Sequence, residues 1–120
     1  MGRPKRSTPT RAVPVEIAAI KAVKCQECRL CGVSADDAQI NAAHLVQRGM
    51  GGTIGGEWTA ANIVGLCGHG NIDGCHGLLD SYDPEARAAL RALLTLDELA
   101  YIEMKMGRDW LDRRYPKATA

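Results

Sequence analysis

An α+β domain, with helices gathered towards its C-terminal end and a metal in place of a large core, is the fold class this sequence predicts. Three observations carry it. Two cysteine pairs, Cys28 with Cys31 and Cys67 with Cys75, flank a long gap. Just ahead of the second pair, the run from Asn62 to Cys67 (NIVGLC) reads as a short apolar strand. Beyond residue 83, apolar residues recur at helical spacing behind recognisable caps.

A chain of 120 residues fits one domain, and a domain this small buries a modest core and gains from a metal staple. The expected organisation is a flexible basic arm over residues 1–13 and a single domain over 14–120, with its core at 28–80 and a helical part at 83–115. No run approaches the roughly 20 apolar residues of a membrane span. The opening MGRPKRSTPTR has no apolar stretch of the signal-peptide kind, so no membrane association and a cytoplasmic location are expected. In that setting five cysteines favour metal thiolates over disulfides. Net charge is only +1, but residues 1–24 hold six basic side chains against Glu16 alone, leaving the rest of the chain net negative. Arg3, Lys5, Arg6 and Arg11 therefore form a cationic arm. It reads either as a solvated tail or as a phosphate-binding segment that releases counterions from DNA.

Thiolates are soft, compact ligands, and a CxxC turn presents two of them to one ion, so the paired cysteines are read as a tetrahedral structural zinc site. KCQECRLCG contains two overlapping CxxC turns. Gly32 after Cys31 suits the tight knuckle turn, which selects Cys28 and Cys31 and leaves Cys25 as a buried apolar residue. The second pair is Cys67 and Cys75, with His69 as a rival for the fourth position.

Taken in order, Pro14 to Val23 is apolar almost all round, fitting a short helix with Pro14 at its first position or a buried strand. Residues 38–46 (AQINAAHLV) are poor in strand formers. Arg48 to Gly56 holds five glycines in nine residues and reads as a long loop whose backbone can approach a phosphate. Trp58 is the expected large core side chain. A helix is expected from near Cys75 through Leu79, placing His76 and Asp80 one turn apart on one face. Asp83 caps the next helix, with Pro84 first and Ala86, Ala89, Leu90, Leu93 and Leu94 as its apolar stripe. Thr95 and Glu98 make a capping box for another, with Leu99, Ile102 and Met106 inward and Gly107 as its stop. A last helical turn carries Trp110 and Leu111 and ends at Pro116; Arg108, Arg113, Arg114 and Lys117 around it read as a solvated face.

A bare zinc finger has no use for His44 in mid-gap, Asn62 before the second pair and His76 directly after the last cysteine. With CRLCG, AAHLVQRGMGG, NIVGLC and CHGLLD, that His, Asn, His order resembles the HNH endonucleases, especially the small zinc-stapled ones of bacteriophages; the resemblance covers about half the chain. It implies a ββα-metal (His-Me finger) core in which two antiparallel strands and a helix grip one catalytic cation, with His44 at the end of the first strand. It also implies hydrolysis of DNA phosphodiesters. His44 would activate the water, Asn62 would tie the hairpin loop to the first strand, and a divalent cation, magnesium or manganese, would sit at His76 and Asp80. Arg48 would fork onto a phosphate. A phage packaging, terminase-like partner is the associated expectation. The chain departs from the family pattern at Ala43, where many members carry a metal ligand, and at Asp80, where many carry histidine. Ala43 is the reason to keep an alternative, a non-catalytic zinc-bound DNA-binding or phage assembly module, beside a third reading as a protein-binding zinc ribbon. With no Phe and few Trp or Tyr, the chain is a poor platform for stacking single-stranded bases.

Overall fold

INAAH is a weak strand by composition, yet Ile40–His44 forms β1 by pairing antiparallel with β2, Ile63–Cys67, in the register Ile40 to Cys67 through His44 to Ile63. Tertiary packing overrides propensity here. Ala43 is buried at 2% exposure, and Ile63, Val64 and Leu66 at 0%, so the two-stranded ladder runs through the centre of the core. The computed structural model describes residues 14–47 and 56–118. The basic arm, and all of the expected Arg48 to Gly56 loop except Gly56, lie outside them. Around the ladder are five helices: α1 Pro14–Lys24, α2 Gly74–Asp80, α3 Pro84–Leu93, α4 Leu96–Met106 and α5 Arg108–Arg114. The class is α+β, and none of the described helices is long and apolar enough to cross a membrane.

α1 takes the helical alternative, though no residue of it is fully buried. It leans on β2 where Gly65 permits a close approach: a Cβ there would meet the Lys24 carbonyl oxygen at 2.4 Å. The knuckle that follows is held to the same residue, Arg29 N–H donating to the Gly65 carbonyl at 2.8 Å. α2 begins near Cys75, as its sequence suggests, and packs on β2 through Leu79.

The C-terminal helices keep their expected caps. Asp83 accepts from Ala86 N–H at 2.8 Å with Pro84 at the first turn, Thr95 and Glu98 form the reciprocal capping box, and Gly107 stops α4 at φ 91°. The α3 stripe is narrower than expected. Ala86, Leu90 and Leu94 are buried at i, i+4 and i+8, while Ala89 faces solvent and Leu93 is 45% exposed. The place beside Ala86 goes to Arg87, which is buried. Two further expectations are corrected. Trp58 is half-buried at the ladder's end rather than inside the core, and Cys25 is half-buried, its thiol pushed up by that burial against an opposing pull from Lys21.

A buried ion network joins α4 to the end of α1 and to the residues around Cys28. Glu98, fully buried, receives Lys24 Nζ at 2.6 Å and a two-pronged Arg29 guanidinium at 2.7 and 2.9 Å, while also accepting the Thr95 N–H of its capping box. Burial alone would raise its pKa, but these donors outweigh it and hold the carboxyl at about 2. One carboxylate thus fastens α4 to the end of α1 and to the cysteine knuckle.

Candidate functional site

Opposite ends of the ladder carry the two candidate sites. At the Ile40–Cys67 end, the sulfurs of Cys28, Cys31, Cys67 and Cys75 lie within 4.8 Å of one another, forming a site that could hold a metal ion such as zinc. Cys31 Sγ and Cys67 Sγ are 3.8 Å apart, the edge of a tetrahedron with metal–sulfur bonds of about 2.3 Å. Gly74, at φ 66°, lets the loop close: a Cβ there would meet the Cys67 carbonyl oxygen at 2.5 Å. The amides of Cys31 and Cys75 point at the sulfurs of Cys28 and Cys67, at 3.4 and 3.5 Å. Burial opposes ionisation of Cys28, but amides from Cys31, Cys67 and Leu30 prevail and bring it to about 7. Burial and the neighbouring thiols push the Cys75 thiol strongly upward, so a nearby cation would favour its thiolate. His69 is excluded from the quartet. Exposed, it donates its backbone N–H to Asp73 Oδ1 at 2.7 Å and sets its ring against Asp73 Oδ2 at 3.0 Å, which lowers the Asp73 carboxyl.

At the other end, His44 closes β1, and the chain turns into Leu45 and Val46. Asn62, fully buried at the foot of β2, holds that turn: its Oδ1 accepts Val46 N–H at 2.8 Å, and its Nδ2 donates to the carbonyls of Val46 and Glu57, both at 3.0 Å. It thereby ties the exit of the first strand to the segment that begins at Gly56. Gly56 completes the closure, since a Cβ there would lie 1.8 Å from the Val46 carbonyl oxygen. The His44 ring meets Trp58 edge-on, with centroids 4.8 Å apart and planes at 85°, and Lys21 Nζ stands 5.7 Å from the Trp58 ring centre.

His44 opens onto a cavity of about 230 Å³ whose wall also includes Asp80, Tyr82, Arg87, Trp110 and Arg114. Asp80 ends α2, one turn beyond His76, and His76 Nε2 stands 3.9 Å from Asp80 Oδ2. That is too long for a hydrogen bond and wider than the roughly 3 Å between adjacent ligands of an octahedral ion, so a small side-chain shift would be needed to bring both atoms onto one ion. Asp80 Oδ2 also accepts from Asn71 at 2.8 Å, and His76 Nδ1 is buried with no hydrogen-bond partner among the described residues. The cysteine quartet is the only cluster of three or more such donors among the described residues, so His76 and Asp80 offer a two-ligand site. Ala43 lies inside the core and adds nothing to it. Asn41, two residues before Ala43 on β1, donates to the carbonyls of Gly68 and Gly70 at 2.7 and 3.3 Å.

Of the expected site residues, the structure brings His44 and Asp80 onto one cavity, with Asn62 holding the turn after His44 and His76 one turn before Asp80 on α2, and gathers the four cysteines at the other end of the ladder. Arg48, Arg3, Lys5, Arg6 and Arg11 lie outside the described residues. Sequence reasoning passed over the supports supplied from far along the chain. Tyr115, buried, donates its hydroxyl to the Leu45 carbonyl at 2.6 Å, next to His44, and burial pushes its own pKa up to about 12. Arg87 caps α2, its Nε and Nη2 donating to the Leu79 carbonyl at 3.0 and 2.8 Å. The signal for Arg87 is an arginine on the apolar side of an amphipathic helix; Tyr115 carries no local signal.

Comparison with protein-family models, curated proteins and solved structures finds no match for this chain.

Proposed function

We propose that the protein is a zinc-stapled, HNH-type endonuclease with a ββα-metal core, which hydrolyses DNA phosphodiester bonds with the help of a divalent cation. The observation that carries this reading is the sharing of one cavity by His44, at the last position of β1, and Asp80, with His76 one turn away on α2 and Asn62 fastening the turn after His44.

In this reading His44 accepts the proton of the attacking water. An imidazole suits that task because its ordinary pKa lies near neutrality. Asn62 does no chemistry; it fixes the backbone through which the His44 ring is aimed. Trp58 and Tyr115 restrict the ring and the adjoining carbonyl from two sides. His76 and Asp80 would hold magnesium or manganese, which would supply Lewis-acid stabilisation of the charge that develops on the phosphate and the leaving oxygen. The cysteine quartet holds zinc and keeps β2 and α2 together.

The second reading, a DNA-binding or assembly module without catalysis, draws on one observation: Ala43 is buried where relatives of the resembled family place a ligand, leaving two protein donors. Nicking of supercoiled plasmid decides between them. Magnesium- or manganese-dependent nicking by the wild type, lowered about a hundredfold or more in His44→Ala, is expected. DNA binding with no cleavage under either ion supports the second reading.

A further inference from the structure

Arg114 is the last residue of α5, far in sequence from the His44–Asp80 stretch, yet it stands on the wall of the same cavity. Its guanidinium carbon lies 4.9 Å from the Trp110 ring centre and 5.4 Å from that of Tyr82, and Nη1 donates to the Tyr82 hydroxyl at 3.3 Å. Arg29, Arg91 and Arg108 each meet a carboxylate, whereas Arg114 forms no ion pair among the described residues. Arg87, behind it, is likewise without a carboxylate: it is stacked between Tyr82 at 4.2 Å and Tyr115 at 4.9 Å and donates only to carbonyl oxygens. Asp80 is the one acidic side chain on the described wall, and it faces His76. Two guanidinium groups beside a single carboxylate leave this wall with an excess of positive charge.

Tyr82 adds a conformational argument. At φ 62° it is the only non-glycine residue among those described with a left-handed backbone, a state an aromatic residue rarely adopts. This costly conformation puts its ring against both guanidinium groups. Contact with the Tyr82 and Trp110 rings restricts the Arg114 guanidinium, and with Nη1 on the Tyr82 hydroxyl its remaining N–H groups are left for an acceptor that offers two oxygens, such as the non-bridging pair of a phosphate. With a water occupying about 30 Å³ of liquid, the cavity has room for a phosphate and part of its sugar.

We infer that Arg114 binds the non-bridging oxygens of a backbone phosphate of duplex DNA, next to the phosphate attacked at His44. The C-terminal helix is then part of the substrate site and not a solvated scaffold face. This inference rests on the nuclease reading for the position of the bound phosphate, but its test separates the two.

Duplex binding is measured against salt concentration with full-length His44→Ala protein, which does not turn over, with and without Arg114→Gln. Zinc content and circular dichroism report folding. Loss of one phosphate contact is expected to reduce the slope of log affinity on log salt by about 0.9 and to weaken binding about tenfold. In the cleaving protein, Arg114→Gln raises KM. The Arg87 bond to the Arg114 carbonyl is to backbone and survives the substitution. Should Arg114→Gln fail to fold, phenylglyoxal modification of the wild type, read by peptide mass spectrometry, gives the answer: duplex DNA should protect Arg114 relative to Arg108, which is paired with Glu103 on the surface. A reduced slope in a protein that never cleaves removes the nuclease reading and keeps the phosphate contact. Cleavage by the wild type with an unchanged slope, or no protection of Arg114, overturns the inference and leaves the nuclease reading standing.

Discussion

The two ends of the five-pair β1–β2 ladder are built on opposite principles. At the Ile40–Cys67 end, four side chains of one type converge within 4.8 Å, and their placement follows from short spacings and glycine turns. At the His44–Ile63 end, the wall is assembled from β1, the turn after α2, α3, α4 and α5. α2 joins the ends, carrying Cys75 at its start and Asp80 at its finish. The first arrangement suits a staple, whose strength lies in ligation. The second suits a substrate site, whose groups must be aimed from several directions by a scaffold already in place.

The largest effect should come from the sulfur end. Cys75→Ser, or chelation, removes metal ligation worth roughly 10 kcal/mol or more in small zinc domains, so the described core should lose its circular dichroism signal and its zinc together. A fully folded, metal-free protein would erase the distinction between the ends.

Asn62→Ala attacks the cavity end through its backbone. It strands the Val46 amide and carbonyl and the Glu57 carbonyl, which should cost about 3 kcal/mol or more in urea unfolding while zinc stays bound. Zinc loss in step with this variant's unfolding midpoint would mean that the ends are one cooperative unit.

Glu98 sharpens the comparison from the sulfur side, because its partner Arg29 sits between Cys28 and Cys31. Its folded-state pKa of about 2 lies below the ordinary 4.5. Its contribution is therefore complete above about pH 4.5 and vanishes as pH falls towards 2, amounting to about 3 kcal/mol at most. In Glu98→Gln that component of the acid dependence should be missing, as read by the difference between the two unfolding profiles over this window.

Tyr115→Phe is the mildest change, removing the hydroxyl's bond to the Leu45 carbonyl for about 1 kcal/mol. If Tyr115 positions the strand exit at His44, cleavage should fall further than this stability loss accounts for.

The same contrast decides how much could be read from residues alone. The cysteine quartet was legible because CxxC spacing and Gly32 are local chemistry, and helices α3 to α5 were legible because Asp83, Pro84, Thr95, Glu98 and Gly107 are local caps. β1 was not, because INAAH gains its strand character only from burial against β2. Periodicity turns Leu93 inward, yet it is 45% exposed, while Arg87 is buried because its guanidinium donates to the Leu79 carbonyl at the end of α2. By size Trp58 reads as a core residue, whereas its contact with His44 depends on how the chain runs from Gly56 towards β2. Tyr115 and Arg114 reach the cavity through tertiary contacts that no spacing announces.

His76 sits at the join, one residue after the zinc-site Cys75 and one turn before Asp80, so a single variant tests the separation of the two ends most directly. His76→Ala protein should be assayed in one preparation for zinc per folded chain and for magnesium-dependent plasmid nicking. If the ends divide staple from chemistry, zinc remains at one per chain and nicking is lost; loss of zinc, or nicking at the wild-type rate, would contradict it.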